Sequence, residues 1–271
     1  MKLIRRLLAP LALGLAAISA NVAFSAPLTT QLGFLVDASG SIGTPNFNIM
    51  RSGYFAAFAA LPTDGSIELT VYTFATGTVA VVAPTIITAA SLPGILTAVN
   101  AMVYTGGITA TSLGINAITA AMAGSSSYLS SLSSIINIAT DGEPNNSGLT
   151  AAQSKAAAIA AATSSKAAGI DAMTAEGIGS SLNVGFLQDL VFSPINGPCT
   201  NCGTVLADGS NPPNPMTSNP WVLRVNSFDD FPTAINSKVQ AIVNPTPEPG
   251  ILMLLALGLV GLGMTRRNKS A

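Results

Sequence analysis

Histidine is absent from all 271 residues. With it go the imidazole base of hydrolytic triads and the commonest nitrogen ligand for zinc and copper. Cysteine occurs only twice, at Cys199 and Cys202, too few for a disulfide framework or a four-cysteine zinc site. Charge is scarce as well: 8% of residues are charged, against 49% hydrophobic. That is enough apolar material for one large domain and little for electrostatic partners. The many serines invite a hydrolase reading, but without histidine the base would have to be Lys155 or Lys166. Neither sits in a serine–lysine motif, and both fall on an Ala-rich helical stretch where a lysine is ordinarily solvated.

Long apolar runs occur only at the two ends. Residues 1–25 have a basic start (Lys2, Arg5, Arg6), a continuous apolar stretch from Leu7 to Ala20, and then small residues. This is the pattern of a secretory signal, with cleavage between Ser25 and Ala26. At the other end, Pro247-Glu248-Pro249 precedes an uncharged apolar run from Ile251 to Met264 and the basic cluster Arg266, Arg267 and Lys269. That run is shorter than the roughly 20 residues of a comfortable spanning helix. Its order resembles the PEP-CTERM sorting tail of Gram-negative bacteria, here residues 245–271. The resemblance implies recognition by an exosortase-type peptidase, transient anchoring in the inner membrane with the basic cluster on the cytoplasmic side, and delivery to the cell envelope or outside.

Six of the eleven Lys and Arg lie in these ends, which leaves five (Arg51, Lys155, Lys166, Arg224, Lys238) against eleven Asp and Glu between them. The interior is therefore acidic, which disfavours nucleic acid and suits a divalent metal.

Between the ends, apolar strand patterns alternate with helical ones. Gly33 to Val36 is a buried run after a polar start at Thr29 to Gln31. Phe47, Met50, Arg51, Tyr54, Phe55, Phe58 and Leu61 recur at helical spacing behind Pro45. Ser66 to Phe74 alternates as a strand, and Thr76-Gly77 turns it into a short antiparallel edge strand, Val79 to Val82. Ser91 to Met102 is helical, and an Ala-rich helix ends near Gly124. Ile135 to Ala139 is a strand, Leu149 to Ala168 a helix stopped by Gly169, and Ile170 to Ile178 a strand. From Gly179 to Asn219 the pattern dissolves into Gly, Pro, Asn and Ser, as in a long surface insertion. Trp221 to Val225 restores a strand, and Ser227 can cap a last helix with Asp229 and Asp230 in its first turn. The fold class this predicts is α/β: a doubly wound, mostly parallel central sheet with helices on both faces, one domain over residues 30–243.

Three loops of this pattern carry oxygen donors. Asp37-Ala-Ser39-Gly-Ser41 follows the first strand, Gly106-Gly-Ile-Thr109-Ala-Thr111 precedes the Ala-rich helix, and Thr140-Asp141-Gly-Glu143 follows the fourth strand. Asp37, Ser39, Ser41, Thr109 and Asp141 together are hard donors suited to Mg²⁺, Mn²⁺ or Ca²⁺ rather than zinc or copper. Hydroxyls are weak ligands, so a metal held mostly by them stays electron-poor and receptive to one more carboxylate.

In this order the three motifs resemble the von Willebrand factor A domain and its metal-ion-dependent adhesion site. The resemblance implies direct metal contact from Ser39, Ser41 and Thr109, contact through water from Asp37 and Asp141, and a partner's carboxylate completing the octahedron. Glu143 has no fixed part in it and reads as a solvated loop acid; Thr111 reads as a helix cap. Cys199-Thr-Asn-Cys202 has redox spacing but lies in a Pro/Gly loop rather than at a helix N-terminus, so in an exported protein it reads as a local disulfide. The expected function is non-enzymatic: metal-dependent adhesion or recognition of an acidic group on a protein or polysaccharide. Alternatives are a structural envelope or matrix protein in which the metal only fastens loops, and an accessory domain of the chelatase kind. For the last, neither a Gly-Lys phosphate loop nor a companion domain is visible.

Overall fold

The computed structural model describes residues 26–128, 132–179, 182 and 184–243. The signal-like segment and the sorting tail lie outside the described residues. Among the described residues no helix is long and apolar enough to cross a membrane.

Seven strands form one sheet in the order β3-β2-β1-β4-β5-β7-β6. They are β1 (Thr30–Asp37), β2 (Asp64–Phe74), β3 (Thr78–Thr88), β4 (Ser133–Thr140), β5 (Ala172–Ile178), β6 (Thr204–Leu206) and β7 (Trp221–Val225). All pairings are parallel except β2 with β3. β1 and β4 are buried along nearly their whole length, the signature of strands covered on both faces. β3 keeps the expected antiparallel edge but runs well past Val82. Its register shifts against β2 near Pro84, and an edge irregularity is where a residue without an N–H is tolerated in a strand.

The helices are α1 (Gly43–Ala59), α2 (Leu92–Asn100), α3 (Thr111–Ala123), α4 (Ala151–Ala167), α5 (Gly185–Leu190) and α6 (Phe231–Val243). On one face α1, α2 and α6 pack over Leu32, Phe34, Val36 and Trp221; on the other α3, α4 and α5 pack over Leu35, Ile136, Ile138 and Met173. Alternate residues of each strand thus feed opposite cores. Phe47, Met50, Tyr54 and Phe58 form the buried stripe of α1, whereas Phe55 is 38% exposed, one position off that stripe.

A capping box of Thr150 and Gln153 starts α4, and Gly169 ends it at φ 99°. At the chain's last helix the start differs from expectation. Phe228–Asp230 is a separate 3₁₀ turn, and Ser227 donates to the Asp230 carboxylate rather than capping the helix. α6 begins beside the carboxyl end of β7 and finishes at Ile242 and Val243, which share a cleft of about 340 Å³ with Thr29, Thr30 and Ser133 at the starts of β1 and β4.

The segment 179–219 is partly core. Phe186, Leu187, Leu190, Val191 and Phe192 are buried, Phe192 bridges to Met173, and β6 extends the sheet beyond β7. Cys199 and Cys202 are disulfide-bonded in a loop tied to α5 by Asn201 N–H to Asp189 at 2.6 Å and Gly203 N–H to Gln188 O at 2.9 Å. Lys166, expected in solvent, instead donates to the carbonyls of Ser193 (3.0 Å) and Gly197 (2.7 Å) and pins the same region.

Candidate metal centre

In an open parallel sheet, the crevice where the winding reverses lies at the carboxyl ends of the strands. Here β1 leads to α1 on one face and its neighbour β4 leads to α4 on the other. The loops after β1 and β4 therefore diverge over a shared gap, and the loop before α3 closes it from the side of β2.

All five sequence-predicted donors meet in that gap. Asp37 and Ser39 are fully buried and Thr109 is 7% exposed, while Ser41 and Asp141 open towards solvent. The Thr109 hydroxyl donates to the Ser39 hydroxyl at 3.1 Å, the Ser39 and Ser41 hydroxyl oxygens are 3.4 Å apart, and Ser41 donates to Asp141 Oδ1 at 2.7 Å. Asp37 sits beneath them with both carboxylate oxygens engaged, Oδ1 accepting from Ser39 N–H (2.8 Å) and Oδ2 from the Thr140 hydroxyl (2.6 Å).

The backbone fixes these loops to one another. Gly40 N–H donates to Gly107 O, Gly106 N–H to Ala38 O, and Asn145 N–H to Thr109 O, each at 2.9 Å. Gly107 is at φ 91°, and a Cβ there would lie 2.2 Å from the Thr76 hydroxyl, so only glycine lets this loop approach the β2–β3 turn. At Gly142 a Cβ would stand 3.5 Å from Ser41 Oγ and 3.9 Å from Thr109 Oγ1; the missing side chain keeps the space over the hydroxyls clear.

Burial pushes the Asp37 carboxyl up to about 6, against the hydrogen bonds from Ser39 and Thr140 that oppose the shift, with the Asp141 charge adding a smaller push. Asp141 is raised as well, by its partial burial. Two carboxyls made reluctant to ionise by desolvation gain most when a cation neutralises them. The spacing also fits one: an octahedral cation holding oxygens at about 2.1 Å has edges of about 3.0 Å, within the 2.7 to 3.4 Å found between adjacent donors.

Thr140 stood in the sequence motif without a role. Its hydroxyl fixes the Asp37 carboxylate, and its place as the last residue of β4, directly before Asp141, was the available signal. Glu143 forms an ion pair with Lys155 at 2.7 Å, with both side chains about one-third exposed. Thr111 is the first residue of α3 rather than its cap, and its hydroxyl faces Thr109 O at 3.5 Å.

Comparison with known proteins agrees with this architecture. The crystal structure of proximal thread matrix protein 1 from the mussel byssus superposes with a TM-score of 0.58 at 19% identity, covering 79% of this chain and 48% of that one. A form of the same protein with a zinc-occupied MIDAS motif gives a TM-score of 0.57 at 18% identity, covering 80% and 49%. The pilus adhesin SpaC from Lactobacillus rhamnosus GG gives 0.56 at 14% identity, covering 80% and 30%. This chain thus spans half or less of each of these proteins. No curated protein matches the sequence. Residues 245–267 match the PEP-CTERM protein-sorting motif, which marks an exported protein of the Gram-negative cell-envelope type and implies exosortase-type processing. Residues 31–196, well over half the chain, match the von Willebrand factor type A domain, and the protein belongs to that family.

Proposed function

We propose that this domain is a non-enzymatic recognition module, exported to the cell envelope or its surrounding matrix, that captures carboxylate groups through a divalent cation. Ser39, Ser41 and Thr109 would hold the ion directly, and Asp37 and Asp141 would act through water. Such an ion supplies Lewis acidity to an incoming carboxylate. The chain's own residues orient the hydroxyls, supply the compensating charge, and leave one side open at Ser41 and Asp141.

The observation that carries this reading is the convergence of five oxygen donors from three separated loops at hydrogen-bonding distances. A second fact supports it. Arg51 is spent on Met102 O, Lys155 on Glu143, Lys166 on two carbonyls and Lys238 on Glu176, and Arg224 is engaged as well. Each Lys and Arg among the described residues thus already has a partner.

Donor hardness favours Mg²⁺, Mn²⁺ or Ca²⁺, although zinc occupies the corresponding motif in the byssus matrix protein. Hard oxygens therefore do not by themselves exclude zinc. The partner would be a protein or polysaccharide bearing a carboxylate. Before processing, the apolar run Ile251 to Met264 would hold the chain at the inner membrane.

Calorimetric titration with Mg²⁺ tests the reading. Wild type should bind one ion, and Ser39→Ala and Asp37→Ala should bind none while keeping a cooperative thermal transition. Unchanged affinity in both variants would refute it. If EDTA lowers the melting temperature while carboxylate binding is unaffected, the ion only fastens loops and the recognition role falls.

A further inference from the structure

Beside the proposed ion site lies a cleft of about 250 Å³, walled by the β2–β3 turn on one side and by Thr105–Gly107 on the other. The second wall is the same loop that carries Thr109 two residues further on, and its Gly107 carbonyl accepts from the N–H of Gly40, which lies between Ser39 and Ser41, at 2.9 Å. Its volume falls below the roughly 300–1,000 Å³ of a complete small-molecule site. It can hold one ring or one side chain of a larger ligand.

The lining is uncharged and rich in hydroxyls. Thr73, Thr76, Thr78 and Thr105 line it, with Val79 and glycines between them; Thr73 lies at 3% exposure, and the other three are exposed. Thr76 Oγ1 accepts from Ile108 N–H at 3.2 Å and keeps its own proton to donate. Thr105 leans on Ala38 O at 3.4 Å, a long bond that a better acceptor can replace. A charged neighbour of the captured carboxylate would be desolvated here without a counter-ion, and a large apolar one would find only small methyl surfaces. A polyhydroxylated unit matches the wall, because each threonine hydroxyl can both donate and accept.

Resting on the carboxylate-capture reading above, we infer that the ligand unit is an acidic sugar, a hexuronate whose carboxylate goes to the ion while its ring hydroxyls enter the threonine-lined cleft. Thr73 and Thr78 then determine specificity through hydrogen bonds, and the ion supplies the anchor. Replacing both by valine removes the hydroxyls at nearly constant shape, on strands where valine is favoured.

The test is calorimetric titration of the Mg²⁺-loaded full chain with a galacturonate trimer, a neutral galactose trimer, acetate and the peptide Gly-Asp-Gly. The uronate should bind about tenfold or more tightly than acetate or the peptide, a factor that one or two net hydrogen bonds supply, and the neutral sugar should not bind measurably. Thr73→Val/Thr78→Val, and in part the exposed single change Thr78→Val, should reduce uronate affinity to that of acetate while leaving Mg²⁺ and acetate binding unchanged. Equal affinity for the peptide, or undiminished uronate binding by the double variant, would overturn the inference and leave the ion site standing. Failure of the wild-type chain to take up Mg²⁺ would overturn both.

Discussion

Lys238 offers the sharpest energetic test of how the last helix is held. It lies on α6 with its ammonium against Glu176 Oε1 at 2.5 Å, both residues completely buried, and 5.0 Å from the centre of the Trp221 ring. Burial lowers its pKa to about 8 even though Glu176 pulls the other way, which shows how strongly desolvation weighs at this point. In Lys238→Met the Glu176 carboxylate would keep a single donor, the Asn137 amide, in an apolar layer. Removing one partner of a buried pair costs about 3–5 kcal/mol. For a domain of this size each kcal/mol shifts the melting temperature by roughly 2–4 °C, so a fall on the order of 6–20 °C is expected. Urea titration should give the matching loss in free energy. The double change Lys238→Met/Glu176→Leu should recover most of it, because a buried pair replaced by apolar groups is often neutral. A loss below about 1 kcal/mol in the single variant would refute the reasoning, since it would mean the carboxylate finds compensation that the burial does not reveal.

Metal removal should expose a distinctive pH dependence. In EDTA the folded chain holds a proton on Asp37 up to about pH 6, whereas the unfolded chain releases it near the usual carboxylate value. Stability therefore falls as pH rises from about 4 to 6, by on the order of 3 kcal/mol from this group. Asp37→Asn should flatten the slope of the urea midpoint against pH, and an unchanged slope would count against the buried charge. Gly114→Ala should destabilise by about 1–2 kcal/mol despite the helical preference for alanine. Its Cβ would come within 2.9 Å of Phe74 Cβ and 3.0 Å of Leu35 Cδ1, and thermal denaturation checks this. Reducing the Cys199–Cys202 bond should cost no more than about 2 kcal/mol, because it closes a very short loop; a guanidinium titration with and without reductant measures it.

The donors were legible in the sequence because each stands at a strand end or a helix start, where a buried apolar pattern breaks into Asp, Ser or Thr. The alternation of strand and helix was legible for the same reason. Residues 179–219 were harder to read. Their apolar residues form short groups, Phe186-Leu187 and Leu190 to Phe192, spanning less than the two turns a helical period needs to declare itself, and β6 is only three residues long. The pair Lys238–Glu176 was missed because a charge looks solvated until its neighbours are counted. Glu176 is the sole ionisable residue of the fully buried β5, and Lys238 stands between the buried Ile235 and Val239. That coincidence was the available signal. Phe55 shares the helical spacing of that aromatic face, but its position directly after Tyr54 turns it to the edge of the face, where it is 38% exposed.

The course of α6 has one more consequence. From its start at the rim that carries the oxygen donors, the helix spans 13 residues, about 20 Å at 1.5 Å per residue, and ends against the opposite pole of the sheet. The sorting motif follows from residue 245. The last described helix therefore leads the chain towards that motif from the pole opposite the donor cluster.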